Sequence, residues 1–520
     1  MSAGRTLQRL ILTADLVAQT ALHVGAAGSD GIAADLDIAR DGAERPIIPG
    51  TSLAGCLRAA SFARIDGDGA LEGAWRALFG TDALDPFALR HGDDAGASRL
   101  RFDDAPLAAG LAERVERRDH VTIDRVTATA ADRLKYDRVV VSPGARFEAR
   151  ITLERRTTDP HGADVRVLFL IARMLEEGLA LGGSSSRGLG RVAAEGIVVR
   201  REDLGDRDGA LAALRARLGH GGGLEEVARG EVELPAGRPA ACTITIGWSP
   251  RRAVLVRDGA EGAVIDTLPL TTTVADGRLT LLLPGASIKG ALRSAAERIV
   301  RTATGTEAPA LDGTSTAAMG QLDVPVARRL FGLAKGSSAG GARSALRVAD
   351  VHAVHNVARS DWEKALALAD PGVAHHALRS ASDGEHDLAQ GSVMAHASVM
   401  THVALDRWTQ GASDGRLFQV LEPAGVQWRP IRLEVDVERL GRSEERLAAG
   451  VLLTLLLAEL VAGDVPLGGM TTRGHGAIEV TDLIVDHGEL LGIAMANGRL
   501  SLVDADASRA AWQTTIGVSG

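Results

Sequence analysis

The chain has 520 residues, of which 45% are apolar and 24% charged, a composition that can bury several domain cores and excludes a disordered or fibrous chain. The formal net charge of -9 excludes a generally basic nucleic-acid-binding protein, so a nucleic-acid partner would have to meet a local basic patch. Cys56 and Cys242 are the only cysteines, which excludes a disulfide framework and a cysteine-ligated zinc site and is typical of the reducing cytoplasm.

The first 200 residues predict alternating strands and helices. Residues 10–17 favour a strand, and Pro49-Gly50-Thr51-Ser52 is typical of a helix start, where Ser52 would cap free N–H groups. Residues 147–154 alternate apolar and polar side chains, as in a strand with one solvated face. An apolar helix (167–177), a glycine loop (182–190) and a short strand (191–193) follow.

Five landmarks of the first half recur in the same order in the second half. Their offset only grows, from 231 to 286 positions, so the second copy is the first with insertions, and five matches in register indicate a duplication. The matched pairs are Asp35 with Asp266, Pro49-Gly50 with Pro284-Gly285, Leu78-Phe79-Gly80 with Leu330-Phe331-Gly332, residues 120–127 with 402–409, and Arg187-Gly188 with Arg473-Gly474.

The duplicated order of elements predicts an α+β protein of two tandem ferredoxin-like modules, each with the segment 120–127 or 402–409 as one arm of an extended hairpin or loop. We expect modules at 1–203 and 239–485, a linker at 204–238 with a helix near 209–218, and a C-terminal extension at 486–520. The N-terminus lacks a signal-peptide pattern, and the apolar run 451–462 is too short to span a bilayer and predicts a buried helix.

The glycine loops are the first candidate binding elements. Glycines allow close approach of another chain, and serine hydroxyls, free N–H groups, Arg187 and Arg191 suit a phosphodiester backbone. The loop is not a P-loop, because the Gly-Lys-Ser/Thr ending is missing and it follows a helix. The alternative is an ordinary helix-to-strand connection that needs positive φ, but recurrence at 468–476 favours a functional role.

The two helix starts point to the same chemistry. Arg58 and Arg293 lie about two turns into their helices, and Lys289 precedes Arg293 by four residues, so both side chains share a face that could address one run of phosphates. The alternative is a solvated helix face without a ligand.

Asp35 and Asp266 lie in turn-like segments just before these helices. A carboxylate beside a distorted RNA phosphodiester could hold a divalent ion or assist the attacking 2′-hydroxyl. Asp37 competes with Asp35, and most loop aspartates have no chemical role. For His120 and His402 we favour a structural or RNA-stacking role, and no zinc is expected because the remaining histidine pairs occur only in the second copy and lack cysteine partners.

Several of these motifs in order resemble the RAMP superfamily of CRISPR proteins. They are Leu22-His23-Val24-Gly25, Asp35, Pro49-Gly50-Thr51-Ser52-Leu53, Ile123-Asp124-Arg125-Val126-Thr127 and the glycine loop 183–190. The resemblance is closer to the Csm- and Cmr-type backbone subunits of type III effector complexes. It covers about residues 10–200 and, more loosely, 240–485, so the doubled chain resembles the tandem-fused backbone proteins of type III-D-like systems.

This resemblance implies a cytoplasmic subunit of antiviral defence, with no membrane partner. Two ferredoxin-like (RRM-like) modules would bind CRISPR guide RNA beside other type III effector subunits, and thumb hairpins would enter the duplex of guide and complementary target RNA. The target would then be cut beside a loop aspartate with a divalent ion, magnesium or manganese.

The resemblance assigns roles by motif position. Asp35 and Asp266 would be catalytic and would hold any divalent ion. The RNA contacts would be Asp124, Arg125 and Arg407 in the thumbs, His23, Ser52, Arg58, Gly183, Arg187, Gly188, Gly190 and Arg191 in the first copy, and Ser287, Lys289, Arg293, Gly469, Arg473 and Gly474 in the second. Three positions depart from the family pattern: Ala54 replaces a frequent lysine, the second copy lacks a recognisable Leu-His-Val-Gly segment, and His475 lies in its glycine loop. The two copies could therefore differ in RNA binding, and one of the two cut sites could be inactive.

Three functional hypotheses remain open. The first is an RNA-guided endoribonuclease subunit with two cut sites, and the second is a guide-binding scaffold that cuts nothing. The third is a guide-maturing RAMP endonuclease, which would need a histidine or tyrosine–lysine acid–base site, and Tyr136 is the sole tyrosine.

Overall fold

The protein is an α+β molecule in the computed structural model, as predicted. The structure describes residues 6–26, 34–65, 69–80, 97–110, 114–156, 162–219, 224–228, 241–312, 314–333, 341–368, 373, 376–377, 397–496 and 499–518. The helices are Gly50–Ile65, Gly69–Phe79, Ala163–Glu177, Arg207–Arg217, Gly285–Thr304, Ser315–Leu322, Ala327–Phe331, Arg359–Leu366, Ser443–Ala462 and Ala505–Ile516, with short 3₁₀ turns at Ser185–Arg187, Val437–Leu440, Thr471–Arg473 and Gly488–Leu491.

The strands pair antiparallel into two main sheets and several short ribbons. Their bounds are Gln8–Ala18, Ile47–Ile48, Leu100–Phe102, Ala105–Pro106, Val115–Ile123, Ala130–Val141, Arg146–Arg155, Leu179–Ala180, Arg191–Asp203, Glu225–Glu226, Ala241–Pro250, Thr271–Thr273, Leu279–Leu283, Leu346–Val348, Val351–His352, Ser398–Leu405, Ala412–Glu422, Ile431–Asp436, Ile478–Asp486, Ile493–Ala496 and Arg499–Leu502.

Contacts divide the chain into two compact units. The first unit comprises Met1–Val115, Val139–Gly183 and Gly190–Arg238, and the second comprises Glu116–Arg138, Ser184–Leu189 and Pro239–Gly520. The second unit therefore takes in two segments of the first sequence copy: most of its hairpin and the middle of its glycine loop.

The main sheet of each unit has the ferredoxin-like order, in which the fourth, first, third and second core strands lie side by side. In the first unit this order is Arg191–Asp203, Gln8–Ala18, Arg146–Arg155 and Leu100–Phe102, with Glu225–Glu226 added at the edge. In the second unit it is Ile478–Asp486, Ala241–Pro250, Ile431–Asp436 and Leu346–Val348. The predicted fold of each module is confirmed.

Each sheet buries one apolar face against a helix. In the first unit Leu12 and Leu16 lie in the same core as Leu168 of the helix Ala163–Glu177. In the second unit Ile244 shares a core with Leu456, which lies in the helix that contains the apolar run 451–462. Each fully buried leucine or isoleucine contributes about 1.5–3 kcal/mol of transfer free energy, so these faces determine which side of each sheet is covered. Among the described residues, no helix is both long and apolar enough to cross a membrane.

The segments outside the two sequence copies are also structured. The predicted linker contains the helix Arg207–Arg217, which Asp206 caps by accepting the Gly209 N–H at 2.8 Å. In the predicted C-terminal extension, a strand pair is followed by the helix Ala505–Ile516, which packs on Ser443–Ala462. The glycine triplet 221–223 lies outside the described residues.

Candidate functional site

The two glycine loops have the same backbone conformation. Gly182 and Gly468 have φ of 82° and 83°, and the next left-handed residues, Ser184 and Met470, have φ of 58° and 56°. A Cβ on Gly182 would lie 2.3 Å from the His23 carbonyl oxygen, so this turn requires glycine. Both copies therefore have the positive φ that the alternative, an ordinary helix-to-strand connection, requires.

Each glycine loop is fastened to a preceding extended segment. The Gly183 N–H donates to the His23 carbonyl at 2.8 Å, and the Gly469 N–H donates to the Leu255 carbonyl at 2.7 Å. Leu255 is thus the counterpart of His23, and Val254-Leu255-Val256-Arg257 corresponds to the Leu-His-Val-Gly segment that the sequence did not reveal in the second copy. His23 is buried, and its Nδ1 lies 2.8 Å from the Val139 carbonyl oxygen. Its side chain therefore packs inside the protein, below the glycine loop, and stabilises that loop.

Asp266 is exposed, and a backbone N–H group holds its carboxylate in place. Its Oδ2 accepts the Gln419 N–H at 2.7 Å. The next residue, Thr267, donates to the Gln419 carbonyl and accepts the Leu421 N–H, both at 3.0 Å. The carboxylate is therefore fixed at the edge of the strand Ala412–Glu422, where one oxygen is engaged.

A groove of about 390 Å³ brings Asp266 together with the second glycine loop. Arg473 lies along it, with its guanidinium 5.9 Å from the centre of the Phe418 ring, within range of a cation–π contact. The groove therefore combines one carboxylate with cationic and aromatic groups. Its lining residues are Leu255, Arg257, Asp266, Thr267, Phe418, Gly469, Met470 and Arg473.

Asp35 occupies the equivalent backbone position in the first copy. It is exposed, and the carbonyl of the next residue, Leu36, accepts the Val139 N–H at 2.9 Å. This hydrogen bond is the counterpart of the one between Thr267 and Leu421, because the residue numbers differ by 231 and 282, the offsets found in the sequence. The competing Asp37 points elsewhere, because its Oδ1 accepts the Ile38 N–H at 2.7 Å and lies 3.8 Å from Arg40. The backbone register therefore matches Asp35, not Asp37, to Asp266.

Both hairpins carry a stacked histidine. His120 stacks on Tyr136 and His402 on Phe418, with ring centroids 5.0 and 5.3 Å apart and interplanar angles of 17°. Burial, reinforced by nearby Arg138, lowers the pKa of His120 to about 4, so this ring is neutral near pH 7. Each histidine ring therefore stacks on an aromatic ring of its own hairpin.

A concentration of positive charge surrounds the middle of the first glycine loop. Arg187 donates to the Tyr136 hydroxyl at 3.1 Å, and Arg138 donates to Ser184 Oγ. Burial first, and then the positive charge of Arg187, lower the pKa of Lys289, and burial and Arg187 both lower the pKa of Arg138, so the local potential is positive here. Such a cluster attracts anions.

The Asp-Arg-x-Thr motif of each hairpin forms a turn. Hydrogen bonds from Gln321 (2.7 Å) and then from the Val126 N–H lower the pKa of Asp124 to about 2. Asp406 accepts the Thr409 N–H at 2.7 Å, and this bond lowers its pKa as well. Both aspartates act as turn formers, a role that an Asp followed by Thr three residues later could have indicated. Because the Asp124 carboxylate is engaged by these hydrogen bonds within the protein, its geometry does not support the RNA contact predicted for it.

The tips of the two hairpins differ in exposure. Arg125 donates to Glu297 Oε2 at 2.7 Å and has only 11% of its side chain exposed. The equivalent Arg407 is exposed, and the neighbouring Trp408 is 95% exposed. The arginine of the first tip is therefore enclosed, although Val126 beside it is 57% exposed, whereas the second tip exposes both its arginine and its tryptophan.

The face of Lys289 and Arg293 is buried, so the expectation of an exposed basic helix face was wrong. Lys289 Nζ donates to the Ser186 carbonyl (3.1 Å), Ser344 Oγ (2.6 Å) and the Leu346 carbonyl (2.7 Å), and burial lowers its pKa to about 6. Arg293 donates to Glu297 at 2.6 Å. Helical spacing showed that they share a face but not that other elements cover it.

The serine cap predicted at Ser52 was also wrong, and its counterpart Ser287 does not cap the second helix, because both residues lie inside the first helical turn. The helix begins at Gly285, whose N–H donates to Asp350 Oδ1 at 2.8 Å, so Ser287 lies inside the first turn. Gly50 donates to Asp104 Oδ1 at 2.7 Å in the same way, and Ser52 lies two residues further on. The capping aspartates are distant in sequence, which is why a local pattern missed them.

The remaining predicted contacts lie near the surface or in the loops. Arg58 lies 5.6 Å from the centre of the Trp75 ring, and exposed Arg191 donates to Gln19 at 2.9 Å. Gly183, Arg187, Gly469, Arg473 and Gly474 are exposed, whereas Gly188 and Gly190 are buried in the turn. Within the described ranges, no group of three His, Cys, Asp or Glu side chains is arranged to hold a metal ion.

Comparison with known proteins matches this doubled geometry. The sequence model of the RAMP superfamily fits residues 15–193 and again residues 269–479. The chain belongs to the RAMP superfamily. Its two matched segments are the two sequence copies, so the family assignment and the duplication agree. The chain is also 30% identical over 208 residues to the CRISPR system Cms endoribonuclease Csm3 of Streptococcus thermophilus, which covers 36% of this RAMP protein and 89% of that relative.

Proposed function

We propose that this RAMP protein is a guide-RNA-binding backbone subunit of a type III CRISPR effector complex and that it cuts complementary target RNA beside Asp35 and Asp266. The relative named as a CRISPR endoribonuclease supports the class of complex and the reaction. The observation that carries the proposal is the groove in which exposed Asp266 lies with the second glycine loop and Arg473.

The charge distribution supports RNA as the partner. The chain is acidic as a whole, at -9, yet Arg138, Arg187 and Arg473 gather at the glycine loops. Guide–target pairing reads the sequence, so the protein needs only contacts to the backbone and to the shape of the duplex. A local cationic strip is sufficient for that task, and a lone subunit should bind RNA weakly.

The protein offers too few oxygen ligands to bind a divalent ion alone, so phosphate oxygens of the RNA would have to complete the coordination. Asp266 has one oxygen engaged by Gln419 and one remaining, and Mg²⁺ is commonly held by one or two carboxylates together with substrate phosphates. Asp266, and Asp35 in the first module, would hold the ion with phosphate oxygens, and the ion would neutralise charge on the phosphate. The protein's own part is to hold this carboxylate, and through it the ion, at a fixed place beside the strained linkage.

Charge-removing variants test the proposal. Asp266→Asn keeps an oxygen that can accept the Gln419 N–H but removes the negative charge, and Asp35→Asn is its match in the first module. In the assembled complex with magnesium or manganese, each variant should lower one class of target-RNA fragments by about 100-fold or more and leave the other unchanged. Asp37→Asn is the control and should change neither class.

The scaffold hypothesis is the other outcome of this experiment. If the wild-type complex binds guide and target but yields no fragments with either metal, the chain is a scaffold and the nuclease proposal is refuted. If fragments persist in the Asp35→Asn, Asp266→Asn double variant, another subunit makes the cuts.

A further inference from the structure

The groove of the second module contains an arginine that belongs to none of the repeated motifs. Arg257 is exposed and lines the groove together with Asp266. The other arginine of the groove, Arg473, corresponds to Arg187 in the sequence repeat. Arg257 is therefore the cation whose counterpart in the first module has to be found from the backbone.

Backbone pairing identifies Gly25 as the counterpart of Arg257. Gly25 forms an antiparallel bridge with Ile38, and Arg257 forms one with Pro269. In each copy the N–H of the next residue then donates to the carbonyl of the residue before Ile38, at 3.1 Å, or before Pro269, at 2.9 Å. The paired residue numbers differ by 232 and 231, which agrees with the first offset of the repeat. The second module thus has an arginine where the first has no side chain.

The fold does not require a particular side chain at this position. Gly25 is exposed and does not have a positive φ, and a Cβ placed on it would lie 3.4 Å from His23 Nε2, an ordinary contact distance. The nine residues between Gly25 and Asp35 include no lysine or arginine that could replace the missing charge. The charge of Arg257 is therefore a difference between the two sites and not a requirement of the turn.

The guanidinium of Arg257 is available to a phosphate. Its Nη2 lies 3.2 Å from Glu261 Oε1, but the two side chains are 60% and 64% exposed. Exposed ion pairs of this kind are weak, so a phosphate oxygen can replace the carboxylate. A planar guanidinium also suits this ligand, because it can donate two parallel N–H bonds to one phosphate.

We propose that Arg257 is a catalytic residue of the second cut, which contacts the scissile phosphate and stabilises the charge that develops on it. This inference rests on the proposed function. In the cut, the 2′-oxygen bonds to phosphorus and the bond from phosphorus to the 5′-oxygen breaks, while the 2′-hydroxyl loses its proton to water and the 5′-oxygen gains one from water. Negative charge on the phosphate oxygens increases in the transition state, so a fixed guanidinium lowers the barrier. The first cut lacks this contribution.

The Asp35-dependent cut is the internal standard for the Asp266-dependent cut. The complete complex with guide RNA cleaves a complementary RNA in magnesium, and the ratio of the two rates is measured. Arg257→Gln removes the charge and should lower the ratio of second to first cut by about tenfold to hundredfold, since the groove is open and an enclosed donor would contribute more. Arg257→Lys keeps the charge and should lower it less. Arg298→Gln, which removes an exposed arginine paired with Glu459 outside the groove lining, should leave the ratio unchanged.

A second measurement reports contact with the phosphate without cleavage. The target carries a 2′-deoxy nucleotide at the second cut, and the linkage there is either a phosphate or an uncharged methylphosphonate. In the wild type, the neutral linkage should raise the dissociation rate of the target by about threefold to tenfold. In Arg257→Gln it should change this rate little, because the partner of the phosphate charge is already missing.

The possible results bear on different claims. An unchanged ratio in Arg257→Gln overturns the role of Arg257 while the proposed function stands. A neutral linkage that speeds dissociation equally in the wild type and in this variant does the same, because it shows that Arg257 does not contact the phosphate. A wild-type complex without an Asp266-dependent fragment refutes the proposed function of the second module, and the role of Arg257 with it.

Discussion

Glu297 is expected to be the most sensitive charged residue of the second unit. It is fully buried, and its two carboxylate oxygens accept from two guanidinium groups, Arg293 Nε at 2.6 Å and Arg125 Nε at 2.7 Å. Arg125 lies at the tip of the first hairpin, so this carboxylate also fastens that tip to the helix Gly285–Thr304.

Glu297→Ala should lower the free energy of unfolding of the second unit by about 3–5 kcal/mol, because it leaves two largely buried cations without their partner. Arg125→Ala should lower it by only about 1.5–3 kcal/mol, because Glu297 keeps Arg293. Arg298→Ala, on the same helix, removes an exposed pair with Glu459 and should lower it by no more than about 1 kcal/mol.

Urea denaturation of the three variants gives these differences. Hydrogen exchange of the hairpin tip, followed by mass spectrometry, reports separately whether the tip has left the helix. We expect faster exchange at the tip in Glu297→Ala and Arg125→Ala but not in Arg298→Ala. Equal losses of stability in Glu297→Ala and Arg298→Ala would refute the assignment of Glu297 as a shared buried anchor.

Two further predictions follow from burial and exposure. Lys289 has its pKa lowered to about 6 by burial, whereas an unfolded lysine has a pKa near 10.4, so the unfolded state binds one more proton between these values and stability should rise with pH by up to about 1.4 kcal/mol per unit. Lys289→Met should remove this slope in urea titrations from pH 6.5 to 9, and an unchanged slope would contradict a neutral buried amine. Trp408 is 95% exposed, whereas Trp75, Trp248, Trp362 and Trp428 are buried and Trp512 is half-buried, so Trp408→Phe should strongly lower acrylamide-quenchable fluorescence without lowering the thermal midpoint. Acrylamide quenching that is unchanged in the variant would show that the second hairpin tip is covered.

The duplication and several local conformations follow from the sequence without the fold. The glycines at 182 and 468 indicated loops of positive φ or close approach, whereas the groups that approach them, the His23 and Leu255 carbonyls, are known only from the fold. The offsets between Asp35 and Asp266, and between the hairpins, reappear as equivalent backbone hydrogen bonds. The apolar run 451–462 likewise predicted a buried helix, which in the structure spans Ser443–Ala462, because apolar side chains in such a run favour burial.

Tertiary structure alone decided which charged groups face solvent. Lys289 and Arg125 look like phosphate ligands in sequence, but elements distant in the chain cover them and accept their hydrogen bonds. The pairing of Glu422 with His475 was equally hidden, because 53 positions separate them in the chain and only the fold brings them within 3.0 Å. The periodicity of a helix or strand predicts which side chains of that element lie side by side. Whether a charged side chain faces solvent or a partner depends instead on which group another element places opposite it.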